Sequence, residues 1–212
     1  MGLGLRLVER DREMMREIAR WRYLLSRQIR ILCGFKGQRA CDRRLAKLIE
    51  AGYIERRYYI YGIPRLYFVT KKAVELFGLS YYTSSIRIEQ IEHEIAVVDT
   101  AIYLIKNGID RKSIITERDL KHKAGFGNPK HFPDFIYKEG EKDYCVEVEL
   151  SVKKQITLER NIKENYMIYD TQKWIVSNDK VKILEYLKNA EMSYSNIETI
   201  PLERVKDYVR SL

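Results

Sequence analysis

The sequence has little cysteine and no long apolar run, and each shortage excludes a class of protein. Its three cysteines, Cys33, Cys41 and Cys145, are an odd number without a CxxC pair, so we expect neither a disulfide framework nor a zinc site. No apolar run approaches the roughly 20 residues of a membrane helix. The first residues, charged from Arg6 onward, lack the apolar core of a signal peptide. We therefore expect reduced thiols in a cytoplasmic protein that does not act at a membrane.

The positive charge of the chain is placed very unevenly. The 212 residues have a net charge of +9, with 45% hydrophobic and 33% charged residues, which is typical of one large or two small globular domains. Residues 1–80 contain 18 basic and 8 acidic residues, a net charge of +10, and residues 81–212 contain 21 and 22, a net charge of −1. A basic domain beside a neutral one indicates nucleic-acid binding, because phosphate contacts release counterions. The alternative is that the charge only keeps the protein soluble.

The first eighty residues predict helix, short helix, helix, hairpin and helix. The expected helices are Glu9–Trp21, Arg27–Cys33 (with Ser26 as N-cap and Gly34 at its end), Gln38–Ala51 and Lys71–Phe77 (capped by Thr70), and the expected strands are Tyr53–Tyr61 and Arg65–Val69. This order is that of a winged helix-turn-helix, whose third helix enters the major groove while the hairpin lies along a phosphate backbone. The alternative is a winged helix used for protein contacts.

Seven basic side chains are the candidates for DNA contact. They are Arg39, Arg43, Arg44 and Lys47 on the third helix, for the major groove, and Arg56, Arg57 and Arg65 on the hairpin, for phosphates. Tyr58, Tyr59 and Tyr61 lie between the hairpin arginines. They either pack or stack there, or are ordinary strand residues.

A polar connector over residues 79–85 predicts a domain boundary, giving domains 1–80 and 81–212. The expected elements after it are a long helix, Ile86–Asn107, helices over Val152–Tyr169 and Lys180–Asn189, a last helix from Pro201, a loop over Lys121–Lys130, and strands at Ser113–Thr116, Phe135–Tyr137, Tyr144–Leu150, Trp174–Ser177 and Ile197–Ile200. The long helix is apolar on so much of its circumference that we expect it against a sheet. The whole order predicts an α+β protein of two domains, the second an α/β restriction-endonuclease-like domain.

Two carboxylates form the candidate site of the second domain. Asp134 follows a proline, and Glu147 lies on the next expected strand, so the two oxygens come within a few Å of each other if the strands are adjacent. Such a pair suits Mg²⁺ or Mn²⁺, which would polarise a phosphodiester and activate water. A third carboxylate comes from Glu92 or Glu117, and the sequence does not decide between them.

The usual lysine of such a site is missing. In PD-(D/E)xK nucleases the residue two positions after the second carboxylate is usually Lys, which stabilises the attacking hydroxide, and here it is Glu149. Three interpretations stay open: Lys153 takes the role, Glu149 is a further metal ligand, or the site is degenerate. A fourth is that Asp134 is a turn residue while Glu147 and Glu149 line a solvent-facing strand edge.

The chain as a whole resembles the replication-relaxation proteins of plasmids and integrative elements, which combine a winged helix with a PD-(D/E)xK-like domain. The matching stretches are ERDREMMREIARWRYLLSRQI, RRLAKLIEAGYIERR, IEHEIAVVD, HFPDFIY, VEVELSVKK and LERNIKENY. The resemblance implies roles for His93 on the long helix and for a later basic-then-tyrosine helix with Lys153, Arg160, Lys163 and Tyr166. The alternatives are a structural histidine, a solvated helix face and a core tyrosine. Phe132 stands where the family usually has arginine.

We therefore expect a DNA-binding protein of a mobile element that binds double-stranded DNA and acts with replication or mobilisation proteins. An active Mg²⁺- or Mn²⁺-dependent DNA endonuclease is the stronger version of this hypothesis. The alternative from another class is a winged-helix transcriptional regulator whose second domain forms a homodimer, for which the long helix offers a face.

Overall fold

The computed structural model describes residues 5–125, 131–151 and 155–212. Within these ranges the protein is α+β and contains two separate sheets. The chain divides into two compact units between Val98 and Asp99. Residues 81–98, which the sequence analysis assigned to the second domain, therefore group with the first unit. Helix α5, Ile91–Lys106, passes through this boundary.

The first unit contains four helices before α5 and a small antiparallel sheet. Its elements are α1 (Glu9–Arg20), β1 (Leu24–Leu25), α2 (Ser26–Leu32), α3 (Gln38–Glu50), β2 (Ile54–Arg57), β3 (Leu66–Val69), α4 (Lys71–Phe77) and a 3₁₀ turn, Ile88–Gln90. The strand order is β1-β3-β2, with Tyr67 opposite both Leu24 and Arg56. The predicted helices of residues 9–77 are confirmed to within a residue or so. The hairpin strands are shorter than expected, and the long helix begins at Ile91 instead of Ile86.

Side-chain oxygens set where these helices begin. Thr70 caps α4 as predicted, because its Oγ1 accepts a hydrogen bond from the backbone N–H of Ala73 at 3.3 Å. The prediction of Ser26 as an N-cap is wrong: the capping residue of α2 is Leu25, whose N–H donates to Oε1 of Gln28 at 2.9 Å. Ser26 instead lies in the first turn and donates its hydroxyl to Asp42 of α3. This contact fixes α2 against α3.

A core of apolar side chains holds the first unit together. Met14 and Ile18 of α1, Leu48 of α3 and Phe68 of β3 are completely buried. Burying each such side chain stabilises the fold by about 1.5–3 kcal/mol. Between α3 and β2 the chain turns at Gly52 with φ of +75°, a conformation that strains any residue with a Cβ atom. The predicted glycine exit from the third helix is therefore confirmed.

The second unit is built on a five-stranded mixed sheet. After the shared helix α5 its elements are a 3₁₀ turn (Arg111–Ser113), β4 (Ile115–Thr116), α6 (Glu117–Ala124), β5 (Phe135–Glu139), β6 (Lys142–Glu149), α7 (Gln155–Tyr166), β7 (Thr171–Val176), α8 (Val181–Ala190), β8 (Ile197–Pro201) and α9 (Leu202–Ser211). The strand order is β4-β5-β6-β7-β8, antiparallel as far as β6 and parallel beyond it. All five predicted strands are present.

One predicted loop is a helix over part of its length. Residues 121–124, expected in a loop, belong to α6, while residues 126–130 lie outside the described residues. Helix α6 begins with a capping box, in which Thr116 Oγ1 accepts from the N–H of Asp119 at 3.2 Å and Asp119 Oδ2 accepts from the N–H of Thr116 at 3.0 Å. None of its residues is fully buried, so it has no apolar stripe that periodicity would detect.

Strand β6 lies in the middle of this sheet and is buried on both faces from Cys145 to Glu149. On one face Trp174 of β7 is completely buried and belongs to a cluster of apolar side chains from α7, α8 and the neighbouring strands. Glu147 stands opposite Trp174 in the parallel register of β6 and β7. The Glu147 carboxylate therefore lies beside the apolar core on this face of the sheet.

Candidate functional site

Asp134 immediately precedes β5 and Glu147 lies on the neighbouring strand β6, so the two are side by side as the sequence predicts. Phe135 pairs with Val146 in the antiparallel register of β5 and β6, which places the preceding Asp134 beside Glu147. The Asp134 Oδ2 atom accepts a hydrogen bond from the backbone N–H of Val148 at 2.7 Å. A carboxylate that bonds a strand amide is fixed against its neighbour strand.

Glu147 is buried and bonded by side chains that the sequence analysis did not single out. It is 3% exposed, and its Oε1 atom accepts from Nδ2 of Asn165 at 2.9 Å. The same oxygen lies 2.6 Å from Nε2 of His131. Burying a carboxylate without partners costs several kcal/mol, so these two nitrogens stabilise its place in the core. Asn165 and His131 are 18 and 16 residues away in sequence, and no spacing pattern points to either one.

Glu149 is also inside the protein. It is 2% exposed, and its Oε1 atom accepts from both the N–H and the hydroxyl of Ser151 at 3.2 Å. The interpretation of Glu147 and Glu149 as a solvent-facing strand edge is therefore wrong. Both side chains point to the same face of β6, because side chains alternate along a strand.

The carboxylates of the described residues do not fit an Mg²⁺ or Mn²⁺ site in this arrangement. In residues 5–125, 131–151 and 155–212, no three His, Cys, Asp or Glu side chains converge as metal ligands. The remaining segments contain none of these residue types. These cations prefer six oxygen ligands arranged as an octahedron. Protein side chains supply some of these oxygens, and water molecules supply the rest. Three converging protein oxygens are the minimum that the sequence-based prediction required, and they are not found there.

Three other residues were predicted as members of the site. Glu92 is exposed and belongs to the first unit. Glu117 donates its backbone N–H to the carbonyl of Asp134 at 2.9 Å, but its carboxylate binds Lys121 Nζ at 2.5 Å. Lys153 lies outside the described residues.

Four residues implied by the family resemblance lie on α5 and α7. His93 is half-buried on α5. On α7, Arg160 and Lys163 are exposed and line an open groove of about 430 Å³. Tyr166 is 41% exposed, with its ring 5.1 Å from that of Tyr194, so it is not a core residue.

A basic stripe runs along one face of α3. Arg39, Arg43 and Lys47 follow each other at intervals of four residues and are all exposed. Residues four apart lie on the same face of a helix. Within the described part of the chain, none of the three has a carboxylate within ion-pairing distance. We call these three residues the α3 stripe.

Arg44, the fourth candidate of this helix, is partly buried and binds a buried carboxylate. Its Nε atom donates to Oδ1 of Asp11 at 2.7 Å, and Nη2 donates to Oδ2 of Asp11 and to the carbonyl of Arg6 at 2.9 Å. Asp11 is completely buried. This bond is the first cause of the raised pKa of the Arg44 guanidinium. The prediction that Arg44 faces the major groove is therefore replaced by an internal ion pair between α3 and α1.

The hairpin arginines divide in the same way. Arg56 and Arg65 are exposed. Arg57 donates to the hydroxyl of Tyr59 at 3.3 Å and to Oε1 of Glu55 at 2.5 Å, and its guanidinium lies 5.1 Å from the centre of the Phe68 ring. The hydrogen bond with Tyr59 is the main reason that the pKa of Arg57 is raised. Arg57 therefore stabilises the hairpin. Of the three hairpin arginines predicted to contact phosphates, the other two, Arg56 and Arg65, are exposed.

Comparison of the chain with protein-family models, with curated proteins and with solved structures finds no match. No helix within the described ranges is both long enough and apolar enough to cross a membrane.

Proposed function

We propose that the protein binds double-stranded DNA through the α3 stripe and the exposed arginines of the β2–β3 hairpin, as a winged helix does. The α3 stripe is the observation that supports this most strongly. Three cations on one exposed helix face, without carboxylate partners in the described residues, repel one another unless an anion neutralises them. A chain of phosphates along a groove has the matching charge and length.

The order of elements in the first unit supports the same proposal. Helices α1, α2 and α3 are followed by the β2–β3 hairpin, and β1 completes a three-stranded sheet of order β1-β3-β2. In winged helices the third helix lies in the major groove and the hairpin contacts the backbone beside it. Arg56 and Arg65 are exposed on that hairpin. The stripe would thus bind phosphates along the major groove, and these two arginines would bind phosphates of the backbone beside it.

The second unit, in this proposal, is a nuclease-like domain that engages DNA without cutting it. Apart from the additional helix α6, the order of α5, strands β4 to β6, α7 and β7 agrees with that expected of a restriction-endonuclease-like core, with Asp134 immediately before β5 and Glu147 on β6. These carboxylates already have partners inside the protein. Glu147 is hydrogen-bonded to Asn165 and His131, and Glu149 is hydrogen-bonded to Ser151. The resemblance to replication-relaxation proteins supplies the biological process in this proposal. The protein would act with replication or mobilisation proteins on a plasmid or integrative element.

Fluorescence anisotropy with a labelled duplex tests the DNA-binding part. We expect Arg43→Ala to weaken binding several-fold at low salt, since one phosphate contact is lost. Arg16→Ala is the matched control, because Arg16 is an exposed arginine of the same unit that lies on α1. Equal affinities of the wild type and both variants would place the DNA contact elsewhere.

Incubation with supercoiled and single-stranded DNA in Mn²⁺ tests the second part. We expect no nicking by the wild type or by Asp134→Ala. Nicking by the wild type that Asp134→Ala abolishes would establish the alternative, an active metal-dependent endonuclease.

A further inference from the structure

Two tyrosines on the β2–β3 hairpin are much more exposed than any other aromatic side chain of the described residues. Tyr61 is 94% exposed and Tyr58 is 57% exposed, while the next, Tyr166, is 41% exposed. An aromatic ring in water loses the free energy that burial would give it. Two such rings on one short segment therefore indicate a surface that is covered in a complex.

The segment that presents them is packed, so the two rings project from an ordered base. Tyr59, Ile60 and Ile63 are partly buried against the apolar cluster of the first unit. The ring of Tyr59 lies 6.2 Å from that of Phe68 in an edge-to-face arrangement. The N–H of Ile63 donates to the carbonyl of Ile60 at 3.2 Å and closes a turn around the exposed Tyr61.

Charge identifies the occupant as a polyanion. From residue 56 to residue 65 the sequence contains three arginines and no carboxylate. Arg57 is occupied by Glu55 and Tyr59, and Arg56 and Arg65 are exposed at the two ends of the turn. An aromatic ring between two available cations has the composition of sites that stack nucleic-acid bases and bind the adjoining phosphates.

We propose that this hairpin stacks Tyr61, assisted by Tyr58, on an unpaired base of the DNA. This inference rests on the proposed function, and it names the substrate class as duplex DNA that adjoins a single strand. In a continuous duplex each base is already stacked on both faces, so a tyrosine ring finds a free base face only at an end, a gap or a fork. The α3 stripe then binds the duplex arm, and the hairpin binds the point where the strands separate.

The experiment compares two labelled DNAs of the same duplex sequence, one blunt and one with a single-stranded tail that carries 2-aminopurine at the first unpaired position. We expect the tailed DNA to bind more tightly and its 2-aminopurine fluorescence to fall on binding. Tyr61→Ala should reduce the preference about 5- to 150-fold, the range that base–aromatic stacking gives. Tyr61→Trp should keep it, since the larger ring stacks as well. The exposed position of Tyr61 makes misfolding of these variants unexpected.

Two controls separate this inference from the proposed function. Arg43→Ala should weaken both DNAs by the same factor, and Leu76→Ala, which removes an exposed apolar side chain of α4, should weaken neither. If Tyr61→Ala weakens both DNAs equally, or if the wild type binds both equally, the stacking inference is wrong while DNA binding stands. If the wild type binds neither DNA at any salt concentration, the proposed function fails and the inference fails with it.

Discussion

Arg44 of α3 binds the buried carboxylate of Asp11 of α1 through two nitrogen–oxygen contacts, one of them Nε to Oδ1 at 2.7 Å. Asp11 also accepts the N–H of Val8 at 2.8 Å and so begins α1. One carboxylate thus caps one helix and fixes another. The neighbouring Arg43 faces solvent. Two adjacent arginines of the same helix therefore have different tasks.

Arg44→Ala should destabilise the protein by about 3 kcal/mol, because it leaves the buried Asp11 carboxylate without its cation. Arg43→Ala should change the free energy of unfolding by no more than about 0.5 kcal/mol, as exposed substitutions usually do. Urea denaturation followed by circular dichroism measures both values. Equal stabilities of the two variants would contradict the division of roles between Arg43 and Arg44.

Asn165→Ala should destabilise the second unit by about 1–3 kcal/mol, because Glu147 then loses a donor in a buried position. Asn189→Ala is the matched control, since Asn189 is exposed on the neighbouring helix α8. The measurement is the urea midpoint of each variant. A stability of Asn165→Ala equal to that of the control would show that the Asn165 bond to Glu147 contributes nothing.

Stability should fall as the pH rises above about 9. Burial raises the pKa of the Cys41 thiol, ordinarily 9.0, to about 12, and burial likewise raises the pKa of Tyr169, ordinarily 10.0, to about 12. The unfolded chain therefore releases these protons first, so their contribution is complete below the ordinary values and is lost as pH approaches 12. Urea midpoints at about pH 7.5, 9 and 10.5 should decrease in that order.

Replacing one of these groups gives the control for the pH series. Cys41→Ala removes one of the titrating groups, so its midpoint should decrease less steeply between about pH 9 and 10.5 than that of the wild type. A wild-type midpoint that stays constant across the series would contradict the burial of both groups.

Millimolar Mg²⁺ or Mn²⁺ should leave the melting temperature unchanged within about 1 °C, because a cation stabilises only a protein that binds it in the folded state. This follows from the absence of three converging ligand side chains among the described residues. Thermal melts with the cation and with EDTA provide the comparison. A rise in the melting temperature with Mn²⁺ that Asp134→Ala abolishes would instead show a metal site at Asp134.

Local patterns predicted the elements, and long-range contacts account for what the sequence did not predict. Spacing of four residues placed Arg39, Arg43 and Lys47 on one exposed face, because helix geometry alone determines that. The ion pair of Arg44 depends on Asp11, 33 residues earlier. No local rule contains that contact.

The candidate site shows the same limit. Neighbouring strands were enough to place Asp134 beside Glu147. The partners of Glu147, His131 and Asn165, come from a loop and from α7, and only the packed sheet brings them to one oxygen. Helix α6 was missed for a different reason: Leu120 and Ala124 are its only apolar residues, so the capping box of Thr116 and Asp119 was its clearest local signal.

Salt dependence of duplex binding tests the central claim most directly. Anisotropy titrations at several salt concentrations give the slope of log K against log salt for the wild type and for the variant with Arg39, Arg43 and Lys47 all replaced by Ala. If the α3 stripe binds phosphates, the slope of the variant should be smaller in magnitude by about 3, since each lost phosphate contact removes about 0.9. Identical slopes for the two proteins would contradict a DNA interface at α3.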